Sequence, residues 1–259
     1  MTELETILRA LAPVAVAVSG GIDSLTLATV AHRTLAGGVT MHHATSPAVP
    51  VEATARTRAL AAREGWTLDV FDAGEFADAS YRANPVNRCF FCKTNLYGAV
   101  AARTARQIVS GANTDDLGEY RPGLDAARDH GVRHPFIEAR IDKAAIRRMA
   151  AALGLGTLSD LPSAPCLSSR IETGIPIEAT DLAMVHRAET LVAAALQPRT
   201  VRCRVRAAGV VIELDPGALA RMGPGQEAAL RAGIADLGVA RPISFAAYRN
   251  GSAFVQPPA

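Results

Sequence analysis

A chain of 259 residues can bury one large core, or a large domain with a smaller one beside it, without relying on disulfides. Its formal net charge is +2 and no run of five or six like charges occurs, which argues against a nucleic-acid or membrane partner held by electrostatics and leaves small molecules as the expected partners. Residues 1–12 carry Glu3 and Glu5 rather than a basic stretch, and the apolar run 14–18 is far too short to span a bilayer, so a cytoplasmic protein is expected.

In chain order, residues 14–18 read Val-Ala-Val-Ala-Val, with no polar alternation, as in a strand buried on both faces. Ser19, Gly20 and Gly21 break it before a helix expected over 25–35. A strand over 39–44, a helix over 51–64, a strand over 67–71, a helix over 99–106 and a strand over 107–110 follow. This alternation predicts an α/β fold with a doubly wound parallel sheet. A helix over 143–153 is closed by Gly154, and the prolines of segment 161–165 force an irregular stretch suited to joining two domains. The expected division is a first domain over 1–166 and a second over 167–259. The second reads as a helix over 179–196, strands over 200–206 and 210–214, a helix over 225–237 and a strand over 244–248, a small α+β domain.

The most informative hexapeptide is Ser19-Gly20-Gly21-Ile22-Asp23-Ser24, directly after the buried strand. Two glycines let backbone N–H groups point inward, and the following helix adds its unpaired N-terminal donors, so the turn is an anion cradle that fits a pyrophosphate. It lacks the lysine of a G-x-x-x-x-G-K-[ST] loop, which serves β/γ phosphoryl transfer. The hexapeptide resembles the PP-loop of enzymes that cleave ATP between the α and β phosphates. That resemblance implies Asp23 on magnesium or nucleotide and the Ser19 and Ser24 hydroxyls on phosphate oxygens.

Cys89 and Cys92 stand at i and i+3, where two thiols can meet one metal or cluster, serve as a redox dithiol, or simply be buried. Cys166 lies between a proline-bent segment and the hydroxyl-rich stretch Ser168-Ser169-Arg170, whose arginine could lower a thiol pKa and hold an anion. A small buried core residue is the alternative. Arg202 and Arg204 share one face of their strand, suited to clamping a phosphate or to solvation, with Cys203 on the other. Asp115 and Asp116 follow Ser110-Gly111-Ala112-Asn113 at a predicted strand end, as ligand groups or helix caps.

Together these residues resemble the LarE-type ATP-dependent sacrificial sulfur transferases of the PP-loop, adenine nucleotide alpha hydrolase-like class. The match runs over segments 19–24, 87–93, 111–123, 162–170, 201–204, 212–213 and 248–252, nearly the whole chain. It implies a role in making the nickel-pincer nucleotide cofactor of lactate racemase, where a carboxylated pyridinium mononucleotide is adenylated, pyrophosphate leaves, and sulfur attacks the acyl-adenylate. By motif, Cys166 matches the family's sulfur-handling cysteine, and Arg202, Arg204 and Arg249 match positions that bind substrate phosphate or carboxylates. Ser169 and Arg170 join them as substrate-binding residues, and Glu189 and Glu213 fall on family positions near that site. One branch of the family gives up the sulfur of its single cysteine. Another holds a 4Fe-4S cluster on three, which Cys89, Cys92 and Cys166 match, so ATP, magnesium and a cluster are the expected cofactors and Asp23 the magnesium ligand. The resemblance also implies a homo-oligomer, a hexamer in relatives. After Arg204 the chain runs Val205-Arg206-Ala207-Ala208-Gly209 where relatives often have His-Gly, so that turn differs. A PP-loop tRNA thiolase, an amidating synthetase and a nucleotide sensor without turnover are the alternatives; near-neutral charge counts against the first and the cysteines against the second.

Overall fold

The computed structural model describes residues 2–118, 121–156, 158 and 165–255; segment 161–164 and residues 119 and 120 of the motifs above lie outside them. The chain divides into two compact units, Met1–Asp78 with Asn87–Ala164, and Ala79–Val86 with Pro165–Ala259.

The N-terminal unit opens with helix α1 (Glu3–Leu11) and strand β1 (Val14–Ala17). Then come α2 (Ile22–Leu35), β2 (Val39–Thr45), α3 (Val51–Glu64) and β3 (Leu68–Asp72). After α4 (Ala79–Arg82), which belongs to the other unit, it continues with α5 (Arg88–Ala101), β4 (Gln107–Ser110), α6 (Pro122–Asp129), α7 (Pro135–Glu138) and α8 (Lys143–Ala152). The four strands form one parallel sheet in the order β3-β2-β1-β4, with Val14 opposite both Val39 and Gln107. This is an α/β, Rossmann-like arrangement.

The unalternating β1 has a physical reason. Val14, Val16 and Val18 enter a core cluster with Leu4, Leu8, Leu25, Leu27, Ile146 and Ala150, and Ala15 and Ala17 enter a second with Tyr97, Val100, Ile108 and Ala127. Helices cover both faces, so neither can be polar, and the larger side chains all fall on one of them.

Two helix boundaries and several whole helices, α1, α4, α6 and α7 among them, depart from the sequence expectation. Helix α2 starts at Ile22, inside the glycine motif, because Ile22 is itself a core residue. The helix expected over 99–106 lies at Arg88–Ala101, so Cys89 and Cys92 sit within its first two turns. Its position is decided by burial of Arg88, Tyr97 and Val100, and beyond it Thr104 Oγ1 accepts from Arg106 N in a turn. Helix α1 was not anticipated, although Thr2 and Glu5 form a capping box: Thr2 N donates to Glu5 Oε2 (2.9 Å) and Glu5 N to Thr2 Oγ1 (3.3 Å).

In the C-terminal unit α9 (Ala179–Leu196) precedes β5 (Val201–Arg206), β6 (Gly209–Leu214), α10 (Pro216–Arg221), α11 (Pro224–Ala235) and β7 (Ile243–Ala247). The sheet order is β5-β6-β7, antiparallel then parallel. Leu182, Val185, Ala188 and Val192 make the buried stripe of α9, which lies along β5. The segment carrying α4 is tied into this unit: Tyr81 Oη and Ser168 Oγ are 2.6 Å apart, and Asn84 Nδ2 donates to Glu172 O (2.8 Å) and Ile175 O (2.9 Å). Among the described residues no helix is long and apolar enough to cross a membrane.

Candidate functional site

In the N-terminal unit the sheet order reverses between β1 and β4, and the crevice at the strands' carboxyl ends is where open α/β sheets bind ligands. Ser19 to Ser24 leave β1 at this point, and Ser110 and Gly111 leave β4 beside them. Gly20 adopts φ +80°, and a Cβ there would stand 2.6 Å from Ala53 O; one on Gly111 would stand 2.9 Å from Ser24 N and 3.0 Å from the Asp23 carbonyl carbon. Only glycine lets α3 and β4 approach the turn this closely. Ser24 is buried and its hydroxyl closes the turn, accepting from Ser19 N (3.0 Å) and donating to Gly21 O (3.1 Å), while Ser19 is exposed. His43 bridges Val18 O and Thr54 Oγ1, both at 2.8 Å. Arg56 Nε donates to Gly20 O (2.8 Å).

Asp23 lies in the first turn of α2, and Lys143 Nζ donates to both its carboxylate oxygens, at 2.6 and 2.5 Å. Burial pushes the Asp23 carboxyl above its ordinary value against the pull of Lys143 and Arg147, with Asp116 pushing the same way as burial. Arg56 and Lys143 were not among the residues expected here; no local pattern marks them, since each reaches the turn from a helix remote in sequence. Asn113 to Asp116 form a short turn in which Asp116 Oδ2 accepts from Asn113 N (3.0 Å) and Asp116 Oδ1 pairs with Arg121 Nη2 (3.1 Å). A glycine turn on a 14-residue helix with one carboxylate in its first turn fits a magnesium-bound polyphosphate. On α5, Cys89 and Cys92 are half-buried.

The C-terminal unit gathers Cys166, Ser169, Arg170, Glu189, Arg202, Arg204, Glu213 and Arg249 around β5. Cys166 is exposed and leads the short turn Leu167–Arg170, whose next residue, Ile171, bridges to Val205. Arg170 is buried: Nε and Nη2 take the two Glu189 oxygens (2.9 and 3.0 Å), and Nη1 donates to Pro165 O (2.6 Å), Cys166 O (3.1 Å) and Ser169 Oγ (3.0 Å). Glu189 Oε1 also accepts from Cys203 N (2.9 Å).

Arg204 is buried as well, with Nε on Glu213 Oε2 (3.0 Å), Nη1 on Ser169 O (2.9 Å) and Nη2 on Arg249 O (3.4 Å). Glu213 Oε1 accepts from Arg206 Nη2 (3.0 Å) and Ser252 Oγ (2.7 Å). Arg202, opposite Glu213 in the ladder, is half-buried with its guanidinium carbon 5.9 Å from the Tyr248 ring centre. Burial, then the nearby Arg170, make it less basic than an ordinary guanidinium, a setting in which an anion would be welcome. Cys203 is fully buried, and burial raises its thiol pKa, so it is an inert core residue. Among the described residues no group of three or more His, Cys, Asp or Glu is drawn together as a metal site.

No family model matches the chain. It is 38% identical over 178 residues to an uncharacterized protein of Synechocystis sp., an alignment covering 67% of this chain and 66% of that protein. An uncharacterized protein of Methanocaldococcus jannaschii is 30% identical over 110 residues, 41% of this chain and 42% of that one. The pyridinium-3,5-bisthiocarboxylic acid mononucleotide synthase of Lactiplantibacillus plantarum is 29% identical over 187 residues, 70% of this chain and 67% of that protein. The chain thus spans just under two thirds of the first of these relatives and under half of the second.

Proposed function

We propose that this chain is an ATP-dependent sulfur transferase of the PP-loop class, acting on a pyridinium dicarboxylate mononucleotide in nickel-pincer nucleotide cofactor synthesis, and that it works in the cytoplasm as a homo-oligomer. Similarity to the Lactiplantibacillus plantarum synthase supports the reaction, and one observation in this molecule carries the reading. The lysine-free glycine turn occupies the sheet's switch point with a carboxylate in the first turn of its helix, suited to holding a departing pyrophosphate and its magnesium.

The chemistry needs such a site. A carboxylate is a poor electrophile because oxide would have to leave. Its attack on the α-phosphorus of ATP releases pyrophosphate and gives an acyl-adenylate; a sulfur nucleophile then displaces AMP and leaves a thiocarboxylate. Ser19 to Ser24 would hold the nucleotide with Asp23 toward magnesium. Ser169, Arg170, Glu189, Arg202, Arg204 and Arg249 would form the mononucleotide site, with Arg202 against an anionic group. In the cluster branch, a 4Fe-4S centre would supply the sulfide, with Cys89 and Cys92 of α5 as candidate thiolates.

Anaerobically purified protein given magnesium, ATP, the mononucleotide and sulfide is expected to release AMP and pyrophosphate in step with thiocarboxylate. ADP as the main product overturns the reading. Release that needs tRNA instead would favour a tRNA thiolase, and binding without turnover a nucleotide sensor. Iron and acid-labile sulfide in the isolated protein test the cluster; dehydroalanine at position 166 without an iron requirement would assign the sulfur to Cys166 itself.

A further inference from the structure

Cys166 is exposed, but none of the four residues that follow it, Leu167 to Arg170, is more than 7% exposed. Within their turn Ser169 N donates to Cys166 O (3.0 Å) and Ile171 N to Ser168 O (3.1 Å). Arg170 holds the carbonyls of Pro165 and Cys166 and the Ser169 hydroxyl. The Ser168 hydroxyl is held from elsewhere. Tyr81 Oη lies 2.6 Å from it, 87 residues away in sequence, and the two residues are 2% and 0% exposed. Hydroxyls shut off from water have no solvent to replace a lost partner, so this bond is costly to break.

Tyr81 is itself placed by a strap. Residues 79–86 belong to the C-terminal unit, although the chain before and after them belongs to the other. Asn84 is 0% exposed and takes the left-handed conformation, φ +54°, which suits an asparagine better than most residues. Its Nδ2 donates to Glu172 O (2.8 Å) and Ile175 O (2.9 Å), and its carbonyl accepts from Gly174 N (2.9 Å). Ile177 N donates to Arg82 O (2.9 Å), and Arg82 Nη2 meets Glu178 Oε1 (2.6 Å). The strap is thus tied along segment 172–178, and the Tyr81–Ser168 bond carries that anchorage into the turn beside the cysteine.

We infer that Tyr81 is a positioning residue for Cys166: through Ser168 it fixes the turn on which the thiol stands. This rests on the sulfur-handling role implied for Cys166 and adds to it the group that holds the sulfur in place. A reacting atom displaced by about 1 Å can lose roughly a hundredfold in rate. The tyrosine touches neither the thiol nor a substrate, so its removal should lower kcat and leave KM unchanged.

The test compares wild type, Tyr81→Phe, Ser168→Ala and the double variant by native-state hydrogen exchange of the full chain. Exchange is read on peptides spanning 165–171 and on peptides from α11 and β7, with a melting curve for each protein. Loss of one shielded hydrogen bond predicts exchange about tenfold faster over 165–171 in either single variant, with α11 and β7 unchanged. The double variant should be no faster than the faster single, because both substitutions remove the same bond. In the magnesium, ATP, mononucleotide and sulfide assay, both single variants should lose kcat at constant KM. Acceleration that is equal in all peptides and follows the melting temperature would make Tyr81 an ordinary core residue and overturn the inference. Additive effects in the double variant, or faster exchange at unchanged kcat, would overturn it as well. If Ser168→Ala does not fold, Tyr81→Phe decides alone, since it removes one oxygen and keeps the ring. Wild-type protein without turnover removes the sulfur-transfer reading, a failure distinct from that of the Tyr81 anchorage, which the exchange rates decide.

Discussion

Arg170 and Glu189 meet fork to fork, Nε on Oε1 at 2.9 Å and Nη2 on Oε2 at 3.0 Å, while the third nitrogen of the same guanidinium holds the carbonyls of Pro165 and Cys166. The ion pair thereby shapes the segment that presents Cys166. Every Arg170 nitrogen is engaged inside the unit, and its charge reaches a substrate only as part of this network.

Removing one partner of a buried pair strands the other charge. Arg170→Ala is expected to cost about 3–5 kcal/mol in urea unfolding. Arg170→Lys keeps the charge but not the fork and should recover only part of that. A cost in Arg170→Ala no larger than that of an exposed surface substitution would show that the network does not hold the segment.

Gly111 is expected to be intolerant of any side chain, because the atoms a Cβ would meet are backbone atoms of Asp23 and Ser24, which cannot swing aside. Gly111→Ala should lose about 1–3 kcal/mol, as overpacked sites do, and should lose nucleotide affinity by displacing the turn. Thermal unfolding and ATP titration of the same sample read both effects; intact binding alongside lost stability would mean that β4 yields rather than the turn.

Glu213 carries a pH prediction. Burial alone would raise its pKa, but hydrogen bonds from Ser252, Arg204 and Arg206 outweigh burial and hold it below the ordinary glutamate value. A carboxylate whose folded pKa is depressed stabilises the protein fully above its unfolded pKa of about 4.3, and that stability is lost as pH falls through the folded pKa. The C-terminal unit should therefore weaken on acidification below about pH 4.3. Glu213→Gln should be less stable at neutral pH, where Arg204 and Arg206 lose their counter-charge, and should show a shallower acid dependence. Denaturation midpoints between pH 3 and pH 7 compare the two proteins, and parallel curves would exclude Glu213 as the titrating group.

What the sequence determined by itself is the part of the molecule whose causes are local. The Val-Ala-Val-Ala-Val run, the helix over 51–64 and the long helix over 179–196 could be read from apolar periodicity and turn residues, and the structure has β1, α3 and α9 there. The glycine turn was legible because its glycines and serines are adjacent in sequence, although the contacts of Arg56, Ala53 and Gly111 with it were not. Helix α5 lies upstream of the expected 99–106 because alanine propensity there is weak beside the burial of Arg88 and Tyr97. Only the tertiary structure decided the partners of the charges: Lys143 for Asp23, Glu189 for Arg170, and Glu213 for both Arg204 and Arg206. A charged side chain states a sign and a reach but not a partner. The choice among many possible counter-ions is made by which helix and strand faces pack together, and that packing is settled by apolar burial elsewhere in each unit.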